Sequence, residues 1–551
     1  MQTILEALES LCIRRGDEVF CDFIKARRTE RIRYIQLYRG ACRYARLFQG
    51  QSLTAGDVVL IILNHTPDMY YAFLGAILSG LLPAFMPALT SKQDPMLYWE
   101  SHRTLFQHIA AGAVLTTPEQ APRLRQQMPE LSMPVITPQD AGRFPTQACF
   151  SDVDPDAPAF LQHSSGTTGL KKGVALTHRA LWNQVNSYAA SLNLSPSDRI
   201  VSWLPLYHDM GLIACFLLPL LTGTPLVQLD PFEWVAAPQM LFDAIEQYRA
   251  TLIWQPNFAF QHLCRTVRRG TVWDLSSLRA WINCSEPCKA ETFALFAEQF
   301  AALGVSPQKL HVAYAMAETV FAVTQTQLDV PVRHLQVDSE HLQTGQKAEP
   351  ACAGRASTAL LSTGQAIPGM KFQIIDEHGA PVGDRQIGEV AVSGNSLFSG
   401  YFKRAEETEK KLRDHWYFTG DLGFSCDQAL YITGRKHDLI IVHGKNFYAH
   451  ELEFTLNQIP GVKPGRAVAA GYFRQEIGSE EVVVLAEAES SYVKSDLLVT
   501  EIKQVLLDTG GPLPFDVCIV PPGWLVKTTS GKISRGANLE KYLGSRQVLT
   551  A

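Results

Sequence analysis

Short apolar runs alternate with amphipathic stretches over residues 55–320, and this rhythm limits the possible folds more than any other feature of the chain. Residues 57–63 form an apolar run, 66–78 have helical periodicity, and 82–86 are apolar again. The same order recurs further along and predicts βαβ units around a largely parallel sheet. Turns at the carboxyl ends of such strands commonly hold ligands, so functional residues are expected there.

The pattern changes near Met370, where apolar and polar residues alternate with a period of two. Residues 371–376 and 388–392 alternate in this way on either side of a turn at His378-Gly379. This arrangement is typical of a β hairpin. We expect a small β-barrel-like subdomain from about residue 365.

Beyond Gly434 the chain has a pattern of its own. Residues 466–472 and 481–488 are apolar runs, 496–507 have helical periodicity, and a last apolar run begins at 517. This order predicts a compact α+β unit. The predicted fold class is therefore α/β. It comprises a large N-terminal domain of stacked βα sheets over residues 1–433 and an α+β C-terminal domain over residues 434–551.

Charge and apolar content exclude two classes of partner. With 49 basic and 54 acidic residues, the formal net charge is −5, and the basic field that nucleic acids require is missing. The most apolar run, 212–221, is about half the roughly 20 residues of a membrane span and contains Pro219. We expect neither a nucleic-acid partner nor a membrane span.

The N-terminus and the cysteines indicate the compartment. Residues 1–15 have the pattern of an amphipathic helix and lack the basic start and apolar centre of a signal peptide. The 11 cysteines suit free thiols in a reducing compartment. Cys284 and Cys288 form the tightest pair, but no second pair follows at zinc-ligand spacing. The sequence predicts a cytoplasmic protein.

The loop from Ser164 to Gly173 is the clearest chemical signal. It packs three glycines, four hydroxyl side chains and two lysines into ten residues. Glycines let backbone N–H groups approach phosphate oxygens, hydroxyls donate further hydrogen bonds, and a lysine neutralises charge. A flexible surface loop is the alternative for this segment alone. The candidate phosphate-binding residues are Ser165, Gly166, Thr167, Thr168, Gly169 and Lys172.

This loop differs from the P-loop of NTPases, because Lys172 is followed by Gly173 and not by Ser or Thr. It resembles the Ser/Thr-Gly-Thr-Thr-Gly-x-Pro-Lys-Gly signature of the adenylate-forming superfamily, with Lys171 where proline is usual. Five more segments match that superfamily in the expected order over about 370 residues. The identification rests on this order.

Two of these segments resemble the adenine site of the superfamily. The resemblance implies that Ser285-Glu286-Pro287 runs along adenine. It also implies that Tyr314 stacks on adenine, with Ala315 and Met316 beside it. Core packing is the alternative for Tyr314.

The resemblance implies roles for three more charged residues near the nucleotide. Glu318 would hold Mg²⁺, which commonly binds one carboxylate together with ATP phosphates. Asp421 would accept hydrogen bonds from the ribose hydroxyls, supported by Arg435. A turn cap is the alternative for Asp421. The cofactors implied are ATP and Mg²⁺.

Three residues are the catalytic candidates. By resemblance, Lys532 in the C-terminal lysine loop bridges the carboxylate of the acid and the α-phosphate, and Lys172 neutralises the leaving phosphates. His208 in Tyr207-His208-Asp209 would line the acyl pocket, although a histidine beside a strand end is often structural. A carboxylate needs alignment and charge neutralisation to attack an anionic phosphate, but no general base.

The resemblance also implies that the C-terminal domain is mobile. It would turn on a hinge two residues after Arg435, where the superfamily usually has Asp or Lys and this chain has His437. Because histidine titrates near neutrality, domain motion could depend on pH. The alternative is that any polar residue serves there.

Within the superfamily, the closest resemblance is to the fatty acyl-AMP ligases. It is carried by residues 202–212, 248–260 and 361–365, and by Ala317 directly before Glu318. It implies an apolar, fatty acid as substrate and an acyl carrier protein as acceptor. An acyl-CoA synthetase that uses coenzyme A is one alternative, and a catalytically silent acyl-nucleotide-binding scaffold is the other. Residues 330–359 are the candidate for the extra segment that those ligases insert.

Two further features remain open at this level. Four apolar residues could line an acyl channel or belong to the ordinary core: Met210, Phe216, Phe258 and Phe260. The charge run 403–414 is most simply a solvated helix.

Overall fold

The fold is described from a computed structural model of the chain. The structure describes residues 3–89, 95–130, 132–142, 153–164, 172–268, 270, 272–354, 357–442, 445–475, 479–489, 495–512, 516–527 and 533–549. Helices and strands alternate as the βα rhythm predicts. The first helix, Ile4–Arg15, begins at a capping box in which Thr3 and Glu6 exchange hydrogen bonds of 3.2 and 2.7 Å.

One half of the largest sheet is mostly parallel. Its parallel strands lie in the spatial order Val19–Lys25, Leu226–Leu229, Ile200–Ser202, Leu252–Gln255, Ala280–Asn283 and Leu310–Ala315. Arg28–Arg33 adds an antiparallel strand at the edge. The strands from 200 to 283 are buried along their whole length, which explains their continuous apolar runs. The helices between these strands are His178–Ser191, Pro231–Ala236, Met240–Tyr248, Asn257–Thr266 and Ala290–Phe300.

The other half of the sheet is antiparallel and continues from Leu310–Ala315 without a break. Its strands follow in the order Ala322–Gln325, Ser357–Ala366, Ala429–Arg435, Trp416–Cys426, Gly388–Gly394 and Met370–Ile375. The predicted hairpin is present, since Met370–Ile375 pairs with Gly388–Gly394. The β subdomain is thus an extension of the main sheet. Shorter elements of this half are His334–Asp338, Leu412–Arg413 and the helix Ala405–Lys411.

Two smaller sheets lie in the N-terminal half of the sequence. A parallel sheet has the order Leu82–Phe85, Val58–Ile62, Ala113–Thr116 and Val135–Ile136. An antiparallel sheet joins Pro158–Ser164, Lys172–Thr177 and Gly400–Tyr401. The strand Gly400–Tyr401 lies far from the other two strands in sequence. The remaining helices of this half are Tyr34–Gln49, Asp68–Leu78, Pro95–Ile109, Ala121–Gln127 and Pro138–Ala141.

The C-terminal residues form the predicted α+β unit. Its three-stranded sheet consists of Val462–Arg474, Ser479–Ala488 and Asp516–Val520, preceded by the hairpin Leu439–Val442 and Lys445–Tyr448. Its helices are Ala449–Leu456, Ser495–Asp508 and Arg535–Leu549. One hydrophobic cluster of this unit contains only residues from 440 onward. The domain boundary near residue 433 stays a prediction.

The most apolar run is buried inside the protein. It forms a π-helix, Met210–Leu217, that continues into the helix Leu218–Thr222. No helix in the described ranges is long and apolar enough to cross a membrane. Gly211 allows this packing, because a Cβ atom there would lie 2.2 Å from the carbonyl oxygen of Pro205.

Replacing Gly211 with alanine should destabilise the protein, since neither the buried π-helix nor the Pro205 turn has room for a methyl group. We expect Gly211→Ala to lower Tm by roughly 1–2 °C, as a loss of about 1–2 kcal/mol would in a chain of 551 residues. Differential scanning fluorimetry measures this. The control is Gly544→Ala in the helix Arg535–Leu549, where no atom lies within 4 Å of the added Cβ. An unchanged Tm for Gly211→Ala would contradict the prediction.

Candidate active site

Asp421 lies on the strand Trp416–Cys426 in the antiparallel half of the sheet and is contacted by residues of both halves. The Tyr314 hydroxyl, at the end of the last parallel strand, donates a hydrogen bond of 2.6 Å to its Oδ2. Arg435 Nε, on the neighbouring antiparallel strand and in register with Asp421, donates to Oδ1 at 2.9 Å. Burial and the charge of Asp421 raise the pKa of Tyr314 well above its usual value, so the phenol stays a donor. The carboxylate is fixed, and each oxygen keeps acceptor capacity for a diol.

Glu318 lies in a short turn directly after the strand of Tyr314. Only 8% of Glu318 is exposed, and its Oε1 accepts a hydrogen bond of 2.8 Å from the Tyr401 hydroxyl. The Tyr417 hydroxyl lies 3.2 Å from that of Tyr401 and extends the network. The other carboxylate oxygen can face a cation.

The donor set around Glu318 fits Mg²⁺. No group of three or more His, Cys, Asp and Glu side chains that could hold a metal occurs in the described part of the chain. Mg²⁺ usually takes one or two carboxylates and completes its shell with phosphate and water. A single anchored carboxylate beside the strands Pro158–Ser164 and Lys172–Thr177 meets this requirement.

Lys172 opens the strand that follows the phosphate loop. Its Nζ lies 2.5 Å from Glu407 Oε2 and 4.9 Å from the centre of the Tyr401 ring. Arg404, which also bonds His108 at 2.8 Å, pairs with the same carboxylate. Burial opposes ionisation, but hydrogen bonds from Lys172 and Arg404 hold the pKa of Glu407 below its usual value. The ammonium of Lys172 is held beside the network of Glu318.

Glu407 was not predicted as a site residue. It belongs to the charge run 403–414, which forms a helix over Ala405–Lys411 as expected. Glu406 and Glu409 on this helix are solvent-exposed, whereas Glu407 contacts Lys172. A run of charges does not reveal in sequence which member faces inward.

The other residues of the phosphate loop and the C-terminal lysine lie outside the described residues. Their predicted roles therefore stay predictions. They are Ser165, Gly166, Thr167, Thr168, Gly169 and Lys532.

Ser285-Glu286-Pro287 follows the carboxyl end of the strand Ala280–Asn283. Ser285 has a φ of +69°, which bends the chain sharply after Cys284. Glu286 accepts a hydrogen bond of 3.0 Å from the backbone N–H of Phe258. Phe258 lies in the first turn of the helix Asn257–Thr266, which follows the neighbouring strand Leu252–Gln255. At the end of the neighbouring strand along the same edge, Ala315 and Met316 are partly buried beside Tyr314. The predicted adenine segments share one edge of the sheet.

His208 lies at the same edge, beyond the strand Ile200–Ser202. Its ring centre is 4.9 Å from that of Tyr207, and both rings are partly buried. Burial raises the pKa of Tyr207 to about 12. The strands of His208 and Tyr314 are separated by two others, so the two residues stand at opposite ends of the candidate site.

The apolar candidates divide between core and surface. Phe216 packs against Tyr70 at 4.4 Å, and Phe260 packs against Phe296 at 5.0 Å, so both belong to the core. Met210 is also buried in that core. Phe258 differs: 45% of it is exposed, and its ring lies 6.1 Å from that of Trp203.

The C-terminal unit covers this edge of the sheet. The ends of the loop that carries Lys532 are joined, because Lys527 and Ile533 form an isolated β-bridge. Burial, then the charge of Arg466, lowers the pKa of Lys527 to about 8, and Glu487 and Glu286 oppose that shift. Glu286 is therefore close enough to act on Lys527, which brings the base of the lysine loop, at Lys527, to the adenine segment.

A buried ion pair joins the two parts of the chain. Lys289, three residues after Glu286, pairs with Glu451 and lies 5.1 Å from the centre of the Phe454 ring. Only 7% of Lys289 is exposed. Burial alone would raise the pKa of Glu451, but Lys289 and His450 hold it well below its usual value. This contact was not predicted, because lone charges in sequence suggest a solvated surface.

His437 lies exposed in the turn Lys436–Asp438, between the main sheet and the C-terminal hairpin. The next residue, Asp438, pairs with Arg535 at 2.5 Å, and Arg535 also donates to Glu453 at 2.8 and 2.6 Å. The chain is anchored directly after His437.

Known proteins are similar to this chain in fold and in sequence. The family described as AMP-binding enzyme matches residues 12–402. A Caulobacter vibrioides relative named as an acyl-CoA synthetase is 30% identical over 93% of this chain and 91% of its own length. The Moorena producens medium-chain-fatty-acid–[acyl-carrier-protein] ligase JamA is 32% identical over 71% of this chain and 69% of its own. A structure from studies of fatty acyl-adenylate ligases of E. coli and L. pneumophila has a TM-score of 0.91 and 26% identity, covering 100% of this chain and 99% of its own.

Glu407 should act through Lys172. We expect Glu407→Gln to lower kcat about 10-fold in acid-dependent exchange of pyrophosphate into ATP, because the ammonium is no longer held in place. In a Lys172→Ala background the same change should have no further effect. Glu406→Gln is the control, since that carboxylate is exposed. Equal losses in both backgrounds would mean that Glu407 only supports its helix.

Removing one partner of the Lys289–Glu451 pair should disturb the domain arrangement. Lys289→Met removes the ammonium from Glu451, whose side chain is 32% exposed and keeps only His450 at 3.2 Å, which costs about 1–3 kcal/mol in comparable sites. We expect the exchange rate to fall at least about 10-fold and the double variant Lys289→Met, Glu451→Leu to recover most of it. Arg333→Met is the control, because the Arg333–Asp427 pair is 75% and 78% exposed. A double variant as slow as Lys289→Met would contradict the prediction.

Proposed function

We propose a reaction for this chain from the premise that it belongs to the AMP-binding enzyme family. The chain uses ATP to activate a fatty or other apolar carboxylic acid as acyl-AMP and releases pyrophosphate. It then passes the acyl group to the phosphopantetheine thiol of an acyl carrier protein. The observation that carries this proposal is the carboxylate of Asp421, fixed by Tyr314 and Arg435 beside the anchored Glu318.

The first step joins acid and nucleotide. A carboxylate oxygen of the acid forms a bond to the α-phosphorus, and the bond from that phosphorus to the β-phosphate oxygen breaks. The electron pair leaves with pyrophosphate. Both reactants are anions, so alignment and neutralisation of charge lower the barrier.

The residues divide this task by position. Asp421 and Arg435 hold the ribose, and Tyr314, Ala315, Met316 and Ser285-Glu286-Pro287 line adenine. Lys172 and the loop 165–169 bind the leaving phosphates, and His208 borders the acid. Lys532 bridges the carboxylate and the α-phosphate. When bound at Glu318, Mg²⁺ neutralises phosphate charge.

The second step transfers the acyl group. The thiol loses its proton to solvent, its sulfur attacks the acyl carbonyl, the mixed anhydride bond breaks, and AMP leaves with the electron pair. The domain beginning at residue 434 rotates about His437 between the two steps. The exposed turn at Lys436–Asp438, with Asp438 anchored to Arg535, supports a pivot at this place.

A carrier protein is favoured as acceptor over coenzyme A. JamA is named as an acyl-carrier-protein ligase, and the structural neighbour with a TM-score of 0.91 comes from studies of fatty acyl-adenylate ligases. The segment 330–359 packs into a cluster with Leu422, Phe424 and Tyr448, the last from beyond residue 434. The resemblance to the fatty acyl-AMP ligases implies that such a segment stiffens the domain interface and disfavours coenzyme A. The Caulobacter relative's name keeps coenzyme A as the alternative.

The reaction fits the cytoplasm, where ATP and carrier proteins occur. All ten cysteines in the described ranges are free thiols, as in reduced proteins.

Exchange of radiolabelled pyrophosphate into ATP tests the first step. We expect exchange that depends on an added fatty acid and falls at least about 100-fold in Lys532→Ala, because one transition-state cation is lost. Lys527→Ala is the matched control at the base of the same loop. No exchange with any acid would refute the proposal.

The acceptor needs a separate measurement. With acyl-AMP formed in place, a phosphopantetheinylated carrier protein should take up the acyl group, detected by intact-protein mass spectrometry. Free coenzyme A should yield at least about 10-fold less thioester. Equal or faster transfer to coenzyme A would establish the alternative.

A further inference from the structure

Gln255 is buried and has no partner for either of its amide atoms among the residues the structure describes. It is 0% exposed, and neither Oε1 nor Nε2 has a hydrogen bond. A buried amide left unpaired is destabilising, because its hydrogen bonds to water are lost and not replaced. Most such groups are paired, so an unpaired glutamine at the edge of a site indicates a missing partner.

A second unpaired atom lies beside it. Gln255 ends the strand Leu252–Gln255 and is in register with Asn283, which ends the neighbouring strand. Asn283 is also 0% exposed; its Nδ2 donates to Asn257 Oδ1 at 2.9 Å, and its Oδ1 has no partner within the described ranges. Together the two side chains offer two donors and two acceptors.

The strand order places this pair between nucleotide and acid. The strand of Gln255 lies between Ala280–Asn283, which leads into Ser285-Glu286-Pro287, and Ile200–Ser202, which leads towards His208. Ligands bind outside the carboxyl ends of parallel strands, where all three segments lie. A group of the acid near its activated end would reach this position.

Aromatic side chains border the same edge. The rings of Trp203 and Trp234 stack at 3.6 Å, and the Phe258 ring lies 6.1 Å from that of Trp203. Phe258 is three residues from Gln255 and opens the following helix. An apolar chain can pack on this wall while a polar group turns to Gln255.

We propose that Gln255 and Asn283 form a specificity site for an acid that carries one hydroxyl, oxo or amide group on its apolar chain. This proposal rests on the proposed function and narrows its substrate class. The glutamine accepts from a hydroxyl or amide N–H and donates to an oxo or amide oxygen. A site built to bond a substrate group discriminates strongly against the analogue without it, because its own buried atoms then stay unpaired.

The test compares pairs of acids in the pyrophosphate exchange assay. Straight-chain acids of medium length are each paired with the same acid bearing one hydroxyl, oxo or carboxamide group at each chain position. For at least one pair, wild-type kcat/KM should favour the substituted acid by about 100-fold or more. In Gln255→Leu that ratio should fall at least about 10-fold.

Gln228→Leu is the matched control. Gln228 is a buried strand glutamine with an unpaired Oε1, but it pairs in register with Ser202 and faces the other side of the sheet from Gln255. Its replacement should leave the ratio unchanged, and an equal fall would show that the ratio reports packing.

Three other results would overturn the proposal. They are a wild-type enzyme that prefers the plain acid in every pair, a ratio unchanged in Gln255→Leu, and a Gln255→Leu effect confined to the KM for ATP. The first two would mean that water pairs the amide, and the third that the nucleotide does. If none of the acids supported exchange, the proposed function itself would be refuted.

Discussion

The site depends on one carboxylate of the antiparallel half of the main sheet that residues from both halves hold in place. Asp421 accepts hydrogen bonds from Tyr314, on the last parallel strand, and from Arg435, on the antiparallel strand that pairs with its own. A buried carboxylate is costly unless paired and hydrogen-bonded, so this geometry persists only while both halves of the sheet stay in register. The turn with Glu318 follows the strand of Tyr314. Its partner Tyr401 comes from the small antiparallel sheet, and Tyr417, which contacts Tyr401, comes from the strand of Asp421. Folding of the sheet and assembly of the site are therefore one event.

Much of the fold was predictable, because the strands of the parallel half are buried on both faces and therefore apolar throughout. Ile200–Ser202 and Leu252–Gln255 are examples. The continuity of the sheet was not predictable. Ala322–Gln325 and Ser357–Ala366 bridge the two halves, and pairing between strands so far apart in sequence leaves no local pattern.

The candidate site divides in the same way. Tyr314, Asp421 and Arg435 were predicted by resemblance, and the structure brings them together. Glu407 and the Lys289–Glu451 pair were missed. The sequence gives the type of a charged residue but does not show whether its side chain faces the protein interior or the solvent. Gln255 was missed because the sequence shows only that an amide residue ends a strand. It does not show that the buried amide has no hydrogen-bond partner within the described residues. The roles assigned to the loop 165–169 and Lys532 stay predictions.

The ion pair between Lys289 and Glu451 has a consequence for motion. Its partners lie on opposite sides of the boundary at which the chain is proposed to turn. Two charges that separate into water regain the hydration they lost on burial, so parting them completely can be nearly neutral, whereas burying one alone is not. Intermediate positions are therefore disfavoured relative to the fully docked and fully open ones. Such a contact therefore defines one preferred orientation of the rotating part without strongly stabilising that orientation over the open one.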